Sequence, residues 1–157
     1  MSHRFNNRCD GCSACARQCP THAIAGLLHQ GHQVIAELCI DCGVCGMICP
    51  VAAVEDEHGR IAGRLRRDQR PRPVVDPALC SGCGLCVDYC PFACLALVGR
   101  AHNGIAVLAE PLACVSCGEC ADICIKGAVA MRAADLRALD PAADRARAAA
   151  VLEDSEP

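Results

Sequence analysis

The chain has 157 residues, of which 17 are cysteine, and a formal net charge of −3. Large side chains are scarce: Leu, Ile and Val total 33 against 27 alanines, and the aromatics are Phe5, Tyr89 and Phe92. That excludes an ordinary apolar core and a conventional mid-sized enzyme domain, so something else must fill and staple the interior; no apolar run is long enough to suggest a membrane span.

Residues 1–7 carry no apolar signal-peptide core, and Cys9 follows at once. The expected setting is therefore the cytoplasm, where thiols stay reduced and clustered cysteines imply metal rather than disulfides. The cysteines fall in four runs. These are Cys9, Cys12, Cys15, Cys19; Cys39, Cys42, Cys45, Cys49; Cys80, Cys83, Cys86, Cys90; and Cys114, Cys117, Cys120, Cys124. Each reads C-x2-C-x2-C-x3-C. Pro20, Pro50 and Pro91 follow the first three, and Ile125 departs from that pattern after the fourth. Zinc sites favour paired C-x2-C knuckles. This spacing instead matches the run that holds a [4Fe–4S] cluster. Three cysteines at spacing three on a tight loop can wrap three corners of a cubane. Small residues such as Gly11, Ser13, Gly43, Gly82, Gly84, Ser116 and Gly118 keep the backbone close to it.

The repeat continues past each run as C-P-x-x-A-I/V, with Ala23, Ala53, Cys94 and Ala128 at the fifth position. Between runs one and two, residues 24–28 and 34–36 predict two short strands around Gly31-His32. Between runs three and four, residues 95–98 and 105–108 predict a hairpin closed by His102-Asn103-Gly104. Short helices are expected after the third cysteine, as at 46–48 and 87–89.

On these residues the chain resembles bacterial-type two-cluster ferredoxins, once over 9–56 and again over 80–131, as in a polyferredoxin. The resemblance implies an α+β fold of two tandem modules. The expected domains are a module at 1–58, an Arg/Pro-rich linker at 59–76, a second module at 77–132 and a tail at 133–157. It also implies four [4Fe–4S] clusters with exchanged ligands. Cluster one would use Cys9, Cys12, Cys15 and Cys49; cluster two Cys39, Cys42, Cys45 and Cys19. Cluster three would use Cys80, Cys83, Cys86 and Cys124; cluster four Cys114, Cys117, Cys120 and Cys90.

Other residues are read against blander roles. Cys94 stands where the other repeats have alanine and reads as a buried free thiol, with an extra ligand or a redox-active thiol as the alternatives. His3, His22, His29, His32, His58 and His102 occupy no ligand position, and His29 and His32 are assigned to a solvated turn. Tyr89 and Phe92 flank Cys90, and the resemblance suggests that they pack on a cluster. Arg60, Arg64, Arg66, Arg67, Arg70 and Arg72 face one acid, Asp68. That stretch reads as a solvated extended linker or a docking strip for an acidic partner, with nucleic acid disfavoured because aromatics are absent from it. Asp140-Pro141 resembles a helix start for residues 142–152, either frayed or a small docking element.

A cluster closed by four thiolates offers no open iron to a substrate, and neither a nucleophile–base pair nor a nucleotide loop stands out. The expected function is one-electron transfer, not catalysis. It would be carried out by a free polyferredoxin or by the electron-transfer subunit of a larger oxidoreductase. The expected partners are redox proteins, such as a 2-oxoacid oxidoreductase, a hydrogenase, or a CO or formate dehydrogenase. The alternatives are an iron–sulfur redox or oxygen sensor and a purely structural use of clusters.

Overall fold

The computed structural model describes residues 3–99 and 104–133, with 142–143, 145–146 and 149–150. It divides into two compact units, 1–67 and 68–157.

In the first unit the order is β1 (Arg4–Phe5), α1 (Ala14–Gln18), β2 (Ile24–Ala25), β3 (Gln33–Val34), α2 (Val44–Ile48) and β4 (Val54–Glu55). In the second it is β5 (Pro71–Val75), α3 (Leu85–Asp88), β6 (Leu95–Val98), β7 (Ile105–Leu108), α4 (Glu119–Asp122) and β8 (Val129–Ala133). The same antiparallel pairing occurs twice. The strand before the first run pairs with the strand after the last, β1 with β4 and β5 with β8. The two strands between the runs pair with each other, β2 with β3 and β6 with β7. This is a ferredoxin-like α+β arrangement of short helices and strand pairs.

Both inner hairpins follow the sequence expectation, with Ile24 opposite Val34 and Leu95 opposite Leu108. The first is shorter than expected, because Ala36–Leu38 turns into a 3-10 helix. The closing turn at His102-Asn103 lies outside the described residues. The helices begin one residue before the third cysteine rather than after it, so Cys15, Cys45, Cys86 and Cys120 sit in their first turns. At four or five residues they are too short to persist alone.

The outer pairs carry no sequence signal. Two-residue strands show no periodicity, and Pro71 and Pro73 read as linker. Yet Pro71–Val75 forms a full strand of the second unit, with Arg72 opposite Arg132 and Val75 opposite Val129. Proline fixes φ near extended values and is tolerated in an edge strand. On the other side of the boundary, Ala62 N–H donates to Val54 O at 2.9 Å and Leu65 N–H to Met47 O at 2.9 Å. Residues 59–67 are thereby tied to the first unit. Of the expected tail helix, the described residues between 142 and 150 are helical and the rest lie outside the described residues.

The apolar cores are small. In the first unit Cys49, Ala53 and Val54 form one cluster, with Phe5 packed against them, and Cys15, Ala23, Val44 and Ile48 are buried as well. The second unit has Cys86, Cys94, Leu95, Ala106, Leu108 and Cys114. Ile105 and Val107 bury the opposite face of β7 against Val75 and Val98.

Candidate metal centres

Each cysteine run is shaped by the same two backbone reversals. The pairs Gly11 and Ser13, Asp41 and Gly43, Gly82 and Gly84, and Ser116 and Gly118 all have φ between 57° and 88°. A left-handed residue on each side of the second cysteine curls the loop around a point, and the helix then presents the third cysteine to that point. In runs one and three the first reversal must be glycine. A Cβ on Gly11 would strike the backbone of Gln30, and one on Gly82 the backbone of Gly104. In runs two and four the equivalent residues, Asp41 and Ser116, use their side chains instead. His3 Nδ1 lies 2.7 Å from Asp41 Oδ1, and Arg72 Nη1 donates to Ser116 Oγ.

The fourth cysteine is set by a third reversal. His22, Ala52, Ala93 and Gly127 have φ between 47° and 61°. That turns the next N–H back onto the sulfur: Ala23 N to Cys19 Sγ at 3.2 Å, Ala53 N to Cys49 Sγ at 3.2 Å, and Ala128 N to Cys124 Sγ at 3.3 Å. Ile125 does not disturb this. Gly127 N–H still closes on Cys124 O at 2.9 Å, and the Ile125 side chain is exposed.

The sulfurs gather around cavities. One of about 370 Å³ is lined by Cys80, Cys83, Cys86 and Cys124. One of about 350 Å³ is lined by Cys39, Cys42, Cys45 and Cys19. One of about 330 Å³ is lined by Cys114, Cys117, Cys120 and Cys90, with Cys94 beside them. In each, three cysteines come from one run and one from its partner run. Cys9 and Cys49 pack in the same core cluster, and the charges of Cys9 and Cys12 act on Cys15.

The electrostatics suit thiolates only if a cationic core accompanies them. Burial raises the third cysteine of every run: Cys15 and Cys86 to about 11, Cys45 and Cys120 to about 12. Neighbouring sulfurs add to that rise. Cys15 acts on Cys45 and Cys86 on Cys120, so the third cysteines of the two runs of a unit lie near each other. Cys124 goes the other way. Burial pushes it up, but backbone N–H groups of residues 126–129 outweigh that and lower it. Four thiolates converging on one small cavity, with N–H groups aimed at the sulfurs, fit an iron–sulfur cubane by donor type and number.

Several side chains sit differently from expectation. His29 is exposed, as a solvated turn requires, but His32 is 4% exposed. Its Nδ1 lies 3.7 Å from Cys9 Sγ and its Nε2 lies 3.1 Å from Ser13 Oγ, while its backbone N–H also reaches Cys9 Sγ at 3.4 Å. The hairpin folds the ring back over the first run and against Phe5. His3 is also buried, within reach of Cys39 and Asp41. Tyr89 is 61% exposed and does not pack inward, whereas Phe92 lines the cavity of the fourth run. Arg72 is fully buried, so that residue is neither linker nor docking strip.

Cys94 is buried, as expected for an alanine position, but its thiol lies 3.3 Å from Cys90 Sγ. Hydrogen bonding to Cys114, burial, and hydrogen bonding to Cys90 all push its own pKa up. The same hydrogen bond lowers Cys114 to about 6 against the burial that raises it, and the Arg72 charge favours that thiolate as well.

Cysteine loops that gather thiols of two runs around a common cavity are the arrangement of a metal-cluster protein. Three family models, each described as a 4Fe-4S dicluster domain, match residues 3–62, 35–94 and 79–128. Residues 3–128 are thus covered by models of ferredoxin-like 4Fe-4S domains. The middle match pairs runs two and three and so straddles the boundary between the units, whereas the cavities pair run two with run one. An uncharacterized protein of Methanothermobacter thermautotrophicus is 41% identical over 56 residues, which is 34% of this chain but 12% of that protein. Among solved structures, a chain of the formate dehydrogenase–heterodisulfide reductase–formylmethanofuran dehydrogenase complex from Methanospirillum hungatei aligns with 78% of this chain. The alignment covers 47% of that chain, at 20% identity and a TM-score of 0.41. Among the described residues, no helix is long and apolar enough to cross a membrane.

Proposed function

We propose that the chain is an electron carrier with four [4Fe–4S] clusters, two in each unit, passing single low-potential electrons between redox proteins in the cytoplasm. It acts as a free polyferredoxin or as the electron-transfer subunit of a larger oxidoreductase. The ligand sets are Cys9, Cys12, Cys15 with Cys49; Cys39, Cys42, Cys45 with Cys19; Cys80, Cys83, Cys86 with Cys124; and Cys114, Cys117, Cys120 with Cys90. The observation that carries this reading is the composition of the three cavities, each mixing three cysteines of one run with one of its partner.

Bound there, a cluster supplies a reversible one-electron couple with every iron closed by a thiolate. The chain does the rest. Its loops exclude water, its N–H groups offset charge on the sulfurs, and the adjoining third cysteines give each unit a short path between sites. The acidic holoprotein suits docking on basic partners. Iron and labile-sulfide analysis should return about 16 of each per chain, and a low-potential donor should reduce the clusters for onward transfer to an acceptor. About 8 of each would leave one unit without clusters, and clusters that never reduce would point to a structural role.

A further inference from the structure

We propose that the cluster held by Cys80, Cys83, Cys86 and Cys124 is the port through which the second unit exchanges electrons, and that the face around Cys83, Ile125 and Lys126 docks a one-electron redox protein with a carboxylate opposite Lys126. The inference rests on the ligand reading above. In three of the four runs a buried polar side chain lies against the residue next to the second cysteine. His32 Nε2 is 3.1 Å from Ser13 Oγ beside Cys12, and His3 Nδ1 is 2.7 Å from Asp41 Oδ1 beside Cys42. Arg72 Nη1 donates to Ser116 Oγ beside Cys117. His3, His32 and Arg72 are all buried. Run three has glycine on both sides of its second cysteine, Gly82 and Gly84, so its loop offers no side chain to hold such a cap. The strand behind it offers none either. The register that pairs Ile24 with Val34 and Leu95 with Leu108 puts Ala106 where the first unit has His32. The outcome is visible at the ligand: of the seventeen cysteines, only Cys83 is exposed. Electron tunnelling falls steeply with distance, so a partner at this face gains the closest approach to a cluster of the unit.

The rim of the opening fits a protein rather than a small solute. Ile125 and Lys126 line the same cavity as Cys83, and both are exposed, Ile125 by 78%. The other runs have Pro20, Pro50 and Pro91 in place of Ile125, and the uncharged Thr21, Val51 and Phe92 in place of Lys126. Lys126 is the only lysine of the chain. Asp88 is exposed too, and a Cβ on Gly84 would lie 3.8 Å from its Oδ2. The rim therefore carries an apolar side chain and one charge of each sign, and a complementary face carries the reverse pair around an apolar centre. The redox step balances simply. The reduced cluster loses one electron and the partner gains it; no bond forms or breaks, and no proton moves.

The test uses the full dithionite-reduced holoprotein with flavodoxin, an acidic one-electron flavoprotein, as the probe. Salt is held at about 0.15 M, where long-range repulsion between two acidic proteins is screened. Stopped-flow absorbance follows electron transfer, and carbodiimide coupling followed by peptide mapping locates contacts. Lys126→Glu should slow transfer about tenfold with iron content unchanged, while Lys126→Arg should stay within about twofold of wild type. Arg17→Glu makes the same change of charge at an exposed residue of the first unit and should also stay within about twofold. The cross-linked peptides should include Lys126 joined to a flavodoxin carboxylate. Equal slowing by Lys126→Glu and Arg17→Glu would reduce the effect to net charge and overturn the proposal. So would an unchanged rate in Lys126→Glu, cross-links that never include Lys126, or a loaded wild type that passes no electron to flavodoxin. A wild-type chain that binds no iron, or whose clusters dithionite does not reduce, would instead overturn the electron-carrier reading itself, before any variant is compared.

Discussion

The two units solve one problem with different amounts of protein. In the first, every strand is two residues long and the buried apolar residues are Cys15, Ala23, Val44, Ile48, Cys49, Ala53 and Val54 among those described. In the second, the outer strands run five residues and the inner ones four, over a core of six buried residues and a second layer at Ile105 and Val107. The polar pairs at equivalent places differ as well, His3 with Asp41 against Arg72 with Ser116. The cysteine loops are the same in both, down to the positions of positive φ. The loops are therefore the constant of the fold, and the polypeptide around them is free to be thick or thin.

That contrast is broken most severely by removing iron. Ligation and folding are coupled in sites of this kind, so chelation should abolish native circular dichroism in both units. Any residual hydrogen-exchange protection should be confined to β5–β8 and β6–β7. Protection that survived in residues 3–67 would contradict the claim that the thinner unit depends wholly on its clusters.

The next largest effect concerns ligand exchange. Cys19→Ala should cost one cluster, leaving about 12 irons per chain. Adding Cys42→Ala should cost nothing more, because both cysteines serve the same cluster, whereas adding Cys12→Ala should leave about 8. The opposite ordering of the two double variants would mean that each run closes its own site.

Arg72 is the largest fully buried side chain. Truncating it to alanine should destabilise the second unit by about 2–4 kcal/mol, in the range for large-to-small changes at buried sites. His3→Ala in the first unit should cost about 1 kcal/mol, as for a single partly buried hydrogen bond. Denaturant-induced loss of cluster absorbance measures both, and equal costs would remove the distinction drawn between these positions.

The smallest effect is expected at Ile125, where run four lacks the proline of the other three. Its side chain is exposed and the turn behind it is intact. Ile125→Pro should be neutral or stabilise by about 0.5 kcal/mol through the unfolded chain. A loss of iron in that variant would show that the exit from run four differs from the others.

What the sequence disclosed follows the range of each signal. The cysteine spacing is local and chemically specific, so the loops were legible at once. The inner hairpins were legible because their strands are close in sequence and rich in Leu, Ile and Val. The outer sheets were not, since Phe5 meets Val54 and Val75 meets Val129 across some fifty intervening residues, with no periodicity to announce them. For the same reason Arg72 read as part of a basic linker. Its burial depends on β8 and on Ser116, and neither is near it in the chain. His32 read as a turn residue because its neighbours are polar; only the closure of β2 on β3 carries its ring to Cys9. Cys94 was placed correctly as an alanine substitute in the core, yet its contact with Cys90 depends on the reversal at Ala93, which spacing alone does not report.

The central claim is that this chain is the wrapping of four one-electron sites. Anaerobic coulometric titration of the intact holoprotein tests it most directly. The account predicts uptake of about four electrons per chain, fully returned to an acceptor on reoxidation. Uptake of two or fewer, or reduction that destroys the clusters, would contradict it.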